Sequence, residues 1–254
     1  MRTISIRYIN VAARTDRRDY MERHLRERGL VAERVEAVTP ADIDADKLAS
    51  SHLTPTELAC AMSHVRSWQT DAWTLVLEDD VVLSRRLPEF LQRFAEAEPS
   101  LDLVQLQVHL MRRTRVLPPK IEIAGVKLRR FRSNAFGGAC YLLSPKGAQY
   151  LRARPDLLSA PIDTTLFEGR MGAGKYLGAV IADPGLAVQL IHTAPNTPEA
   201  RSDLTGTRPL RGRGARPDLA NAIDHLIHLP LGLKARWIDF ADKLPEGATR
   251  RRAA

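Results

Sequence analysis

From its first residues the chain sets strand-length apolar runs on either side of a helix-length amphipathic segment, and that order points to the α/β class. TISIRYINVA is apolar enough for a buried strand. RTDRRDYMERHLRERGL predicts a helix, with Asp16 and Asp19 in its first turn, Met21 and Leu25 on one stripe and Gly29 as its stop. VAERVEAV reads as a second strand, which makes the opening a β-α-β unit. At 254 residues the chain is long enough to bury a sizeable core, as one large domain or one domain with a small appendage.

The pattern continues downstream. In LTPTELACAMSHVRSWQTDA, Thr54 and Glu57 form a capping box around Pro55 at the first helical position. Leu58, Met62, Val65 and Gln69 lie along one side of this helix, so His64 is off the stripe. TLVLEDDVVL reads as a strand, followed by a helix from Pro88 to Ala97 and a strand at LDLVQLQVH. Residues 109–132, interrupted by Pro118-Pro119, are expected to form a loop and hairpin. AFGGACYLLS reads as a strand and PKGAQYLRAR as a helix. A glycine-rich loop is expected over 169–178, and GAVIADPGLAVQLIH as a last short strand.

Within TLVLEDDVVL, three adjacent carboxylates, Glu78, Asp79 and Asp80, interrupt what would otherwise be one buried strand. Charges there are costly unless something compensates them. Side chains alternate across a strand, so Glu78 and Asp80 are expected on one face and Asp79 on the other. Two carboxylates converging at the C-terminal end of a strand suit a divalent cation. Helix-capping acids or a charged turn would carry the same spelling.

Five segments in order resemble glycosyltransferase family 25, the lipopolysaccharide and collagen galactosyltransferase group: YINVAARTDRR, ELACAMSHVRSW, LVLEDDVVL, FGGACYLLSPKGAQYL and PIDTTLF. The resemblance runs from about residue 3 to 192, with Val11 after Asn10 as a mild departure. It implies a GT-A-like nucleotide-sugar-binding fold, with a mixed central sheet flanked by helices, over residues 1–200. A basic, partly helical C-terminal tail is expected over 201–254. It also implies a UDP-sugar donor, most often UDP-galactose, a glycan or glycolipid acceptor such as lipooligosaccharide, inverting transfer, and Mn²⁺ or another divalent cation at the acidic motif. Asp80 is the first expected metal ligand, Glu78 the second, and His192 a possible third, with a plain surface histidine the alternative.

Other candidates follow from position. Asn10, Arg14 and Arg17 sit where the first strand gives way to its helix, suited to gripping a uridine or a pyrophosphate. Asp79 is expected to hold the strand end or touch the ribose. Ser63 and His64, adjacent on a helix, point about 100° apart and are no nucleophilic pair. They are read as hydrogen-bonding the donor or the acidic strand end. Gly137 and Gly138 would let the donor sugar approach the backbone or accommodate a bulge. Asp163 is the candidate general base, with Glu168 behind it and a helix N-cap as the alternative. Glu57 is read as a cap.

The net charge is +8, of which residues 201–254 carry +5, from 11 Lys+Arg against 6 Asp+Glu. A basic tail of this kind suits an acidic partner (a membrane, an anionic glycolipid or a nucleic acid), or is a solvated, partly disordered tail; with the family resemblance, a membrane or glycolipid surface and no nucleic acid partner is expected. The opening lacks the pattern of a signal peptide, and no apolar run is long enough for a membrane span, so a cytoplasmic protein held peripherally at the inner membrane face is expected. Cys60 and Cys140 lack Cys-x-x-Cys spacing and are expected as small core residues. Two other function classes compete: a non-catalytic nucleotide-sugar-binding homologue, and a metal-dependent nuclease, against which the ordered segments argue.

Overall fold

The computed structural model describes residues 2–110, 113–132, 135, 137–168, 173–201 and 235–244. The β-α-β opening is formed by β1 (Ile4–Asn10), α1 (Thr15–Glu27) and β2 (Glu33–Glu36). The short helix α2 (Ala45–Ser50) then leads into α3 (Pro55–Ser67). At the start of α3 the capping box is closed in both directions. The Glu57 amide donates to Thr54 Oγ1 at 3.2 Å, and the Thr54 amide donates to the Glu57 carboxylate at 3.1 Å. Such a box is worth about 1 kcal/mol to the helix end.

TLVLEDDVVL is not one strand. It divides into β3 (Trp73–Glu78) and β4 (Val81–Leu83) with a turn at Asp79-Asp80, and the two halves belong to different sheets. Helix α4 (Leu87–Ala97), β5 (Leu103–Gln105) and the hairpin of β6 (Thr114–Ile123) with β7 (Val126–Phe131) follow. The register of that hairpin shifts around Pro119, where a proline offers no N–H to the ladder. Next come β8 (Cys140–Leu143), α5 (Pro145–Arg152), α6 (Ile162–Phe167) and α7 (Ala173–Tyr176). The run expected as one last strand also divides at Pro184, into β9 (Val180–Asp183) and β10 (Ala187–Gln189), before α8 (Leu190–Thr193).

A nine-stranded mixed sheet has the order β11-β6-β7-β9-β5-β8-β3-β1-β2, with β11 (Ala235–Arg236) on its edge. The strands β2, β1 and β3 run parallel, β8 is antiparallel between β3 and β5, and β4 pairs with β10 in a separate two-stranded sheet. Alternation along β3 sends Leu75 and Leu77 into one core, with Met21 and Leu25 of α1 and Phe90 and Phe94 of α4. Val76 enters the other, with Ala61 of α3, Ala148 and Leu151 of α5 and Leu166 of α6. Helices thus cover both faces of a mixed sheet, the expected fold class. Cys140 is fully buried on β8, as expected. Among the described residues no helix is long and apolar enough to cross a membrane. Most of the expected tail lies outside the described residues.

Candidate active site

At the C-terminal ends of β1 and β3 the structure holds a cavity of about 410 Å³, lined by Arg14, Arg17, Cys60, Ser63, His64 and the three acidic residues among others. The turn after β3 creates it. Because the chain leaves the sheet at Asp79, the alternation expected for a continuous strand does not apply, and Glu78, Asp79 and Asp80 all face the cavity.

The cost of burying these charges is met by Arg17. The residue is 7% exposed, with Nη1 2.8 Å from Asp79 Oδ1 and Nη2 3.4 Å from Asp80 Oδ2. Its Nε and Nη2 also donate to the carbonyls of Glu199 and Arg201, both at 2.9 Å. Arg14 forks onto Asp16 at 3.0 and 2.9 Å and reaches the carbonyls of Pro198 and Arg201, both at 3.2 Å. Asn10 fixes the other oxygen of Asp79, donating to Oδ2 at 2.7 Å, while its own carbonyl oxygen accepts from Arg34.

Asp80 is 7% exposed, and its Oδ1 has no hydrogen-bond partner. Burial first, and then the charge of Glu78, push its carboxyl well above the usual range, against the pull of Arg17. Burial likewise raises Asp79. Glu78 contacts His64 Nε2 through Oε1 at 3.4 Å and accepts from Gln189 Nε2 through Oε2, also at 3.4 Å. A buried carboxylate oxygen with no donor, beside a second carboxylate on an open cavity, fits a hard divalent cation, which takes one or two carboxylates and completes its shell with water and phosphate oxygens.

The other expected residues are distributed differently. Ser63 Oγ accepts the Val38 amide at 2.8 Å and donates to the Ala59 carbonyl at 2.8 Å, pinning the segment after β2 to α3. Gly137 and Gly138 are outside the cavity lining. Gly137 has a φ of +110° and sits where a Cβ would come within 2.5 Å of the Gln107 side chain. Gly138 faces His64 and Ile162. Asp163 falls in the first turn of α6, whose N-cap is Pro161, and its Oδ1 accepts the Thr164 amide at 2.8 Å. Glu168 ends the same helix. His192 is on α8 rather than at a strand end, with its ring 5.1 Å from that of His109 and away from the cavity lining. Burial lowers its pKa.

Cys60 and Gln189 are among the lining residues outside the expected set. Cys60 is half-buried, packed against the edge of the core and also lining the cavity wall. Its spacing four residues before His64 on a capped helix was the available signal. Gln189 bridges Glu78 and Gln107, and its polar side chain inside an apolar run was the corresponding sign.

The model of glycosyltransferase family 25 (LPS biosynthesis protein) matches residues 4–166, more than half of the chain. The chain belongs to this family. Its chemistry is glycosyl transfer, with a sugar donor and a glycan acceptor. The matched region contains the acidic turn, Arg17 and α3, while Gln189 and the carbonyls held by Arg14 and Arg17 lie beyond it. Among solved structures, the chain is similar to a glycosyltransferase involved in the glycosylation of the major capsid of PBCV-1, at 13% identity and a TM-score of 0.43, covering 78% of this chain and 95% of that one. No curated protein matches the chain.

Proposed function

We propose that this family 25 glycosyltransferase has a GT-A-like fold and moves a hexose, galactose first among candidates, from a UDP-sugar to a surface glycan such as lipooligosaccharide, with inversion. The observation that carries the reading is the buried acidic turn opening into a cavity beside Arg14 and Arg17. Glu78 and Asp80 would hold a Mn²⁺-like cation, which when bound neutralises charge on a departing nucleoside diphosphate. Asn10 and Arg17 fix Asp79 and hold the turn in place, so the cavity is shaped before the donor arrives. Arg14 would face the diphosphate or the uridine. Asp163 is the proposed base, taking the proton of the acceptor hydroxyl as its oxygen attacks the anomeric carbon. It follows Ile162, which shares the surroundings of Gly138 with the His64 ring. The basic tail would hold the enzyme at an anionic membrane on the cytoplasmic side.

The test is a panel of UDP-sugars, assayed for donor hydrolysis and transfer with and without Mn²⁺. UDP-galactose turnover that needs the cation supports the reading. Binding without turnover of any donor identifies a non-catalytic homologue, and turnover indifferent to chelator removes the cation.

A further inference from the structure

Cys60, His64 and Glu78 place a thiol, an imidazole and a carboxylate with their ligand atoms all within 4.8 Å of one another on the cavity wall. This set differs in chemistry from the carboxylate pair proposed for the hard cation. Donors about 2.0–2.1 Å from a tetrahedral Zn²⁺ stand about 3.4 Å apart, and His64 Nε2 and Glu78 Oε1 are separated by 3.4 Å. His64 is 1% exposed, and its Nε2 makes no hydrogen bond. Local structure explains the convergence. Cys60 and His64 are four residues apart on α3 and share a face, which the capped helix presents to the end of β3.

The other side of the imidazole is already prepared. His64 Nδ1 lies 3.0 Å from the Tyr141 hydroxyl, which accepts the Trp68 indole N–H at 2.7 Å. A metal-bound histidine donates its second ring N–H to a neighbour that fixes its orientation. The Tyr141 oxygen can accept that hydrogen, or donate its own when the other tautomer is present.

We infer that Cys60, His64 and Glu78 form a binding site for a borderline-soft cation, Zn²⁺ above all, with an open fourth position facing the cavity. Thiolate and imidazole favour Zn²⁺ over Mn²⁺ or Mg²⁺, which prefer oxygen. Because Glu78 is common to both sets, Zn²⁺ would withdraw it from the hard cation and inhibit transfer; only this consequence rests on the function proposed above.

The experiment uses the tag-free full-length chain with no sugar donor, titrated with Co²⁺ and then Zn²⁺ in excess Mg²⁺. One equivalent of Co²⁺ should give a near-ultraviolet sulfur-to-cobalt charge-transfer band, displaced by Zn²⁺. Cys60→Ser should abolish the band. The other cysteine, Cys140, is fully buried and cannot replace it. Tyr141→Phe should weaken Zn²⁺ binding by about 10-fold through loss of the group that orients His64. Asp80→Asn should leave the band in place. Circular dichroism and the melting temperature of each variant establish that it is folded. A band that survives Cys60→Ser, a wild-type chain with no band, or a band lost in folded Asp80→Asn would each overturn the site. Because binding is read without donor or acceptor, loss of the site leaves the transferase reading standing, and absence of transfer leaves the site standing.

Discussion

Replacing Arg17 with methionine keeps most of the side chain's length and removes the charge that compensates Asp79 and Asp80. Both carboxylates are buried, and Arg17 reaches them at 2.8 and 3.4 Å. Breaking a buried pair from one side costs about 3–5 kcal/mol, because the remaining charge is left uncompensated. The loss should depend on pH. Burial already holds both carboxyls above their ordinary range with Arg17 present, and removing a lowering influence raises them further. A raised folded pKa means that the folded chain binds the extra proton. Stability therefore falls as pH rises from about 3.9, where the unfolded carboxyl titrates, up to the folded value. The slope is about 1.4 kcal/mol per pH unit for each carboxyl. Lowering the pH by about 2 units from neutrality should thus return up to about 2.7 kcal/mol per carboxyl. Urea unfolding of both proteins at about pH 7.5 and about pH 5.5 measures this directly. A difference below about 1 kcal/mol, the same at both values, would refute the view that Arg17 neutralises the turn.

Asp80→Asn should lower cation-dependent transfer by about 10²-fold or more while the melting temperature stays near wild type, since the Arg17–Asp79 pair remains; steady-state rates across a Mn²⁺ series check this. Asp163→Asn should bind the donor normally yet turn over about 10²-fold more slowly, and a parental single-turnover rate would pass the role of base to Glu168. His24 is buried, accepts the Leu83 amide at Nε2 and has its pKa pushed down to about 4. Its folded pKa is depressed, so stability is full above about 6.5 and falls by about 3 kcal/mol as pH drops toward 4, a loss that His24→Gln should reduce in acid urea titrations. Removing the residues after 244, which leaves β11 and the buried Ile238 and Phe240 in place, should weaken sedimentation with anionic vesicles in a salt-sensitive way but spare activity on a soluble acceptor; equal sedimentation would rule this end of the tail out as an anchor.

The β-α-β opening and α3 were legible because each carries local punctuation, Gly29 in one case and the Thr54–Glu57 box in the other. The turn at Asp79-Asp80 has no glycine or proline, and apolar residues flank it on both sides, so periodicity alone reads straight through. Pro184 did offer a signal for the second broken strand. At the site, residue types were legible but partners were not. Arg17 looks like a solvent-facing arginine at a helix start, and its carboxylates lie more than 60 residues away in sequence. His64 is off the apolar stripe, yet it is buried, because α3 packs against β1, β2, β3 and α6 and leaves little of its surface to water.

The place of β9 in the sheet has a consequence for anyone shortening this protein. Residues 180–183 lie beyond the segment that matches the family, yet they form a ladder with β5 on one side and β7 on the other. A fragment ending at residue 166 would lack this strand, and the β6–β7 hairpin would lose its attachment to the rest of the sheet. Two unpaired edges would be exposed in its place, each a template for pairing with another chain. Such a fragment should therefore accumulate as insoluble material, and an expressible catalytic core must extend at least through the carbonyls that Arg14 and Arg17 hold at 198–201.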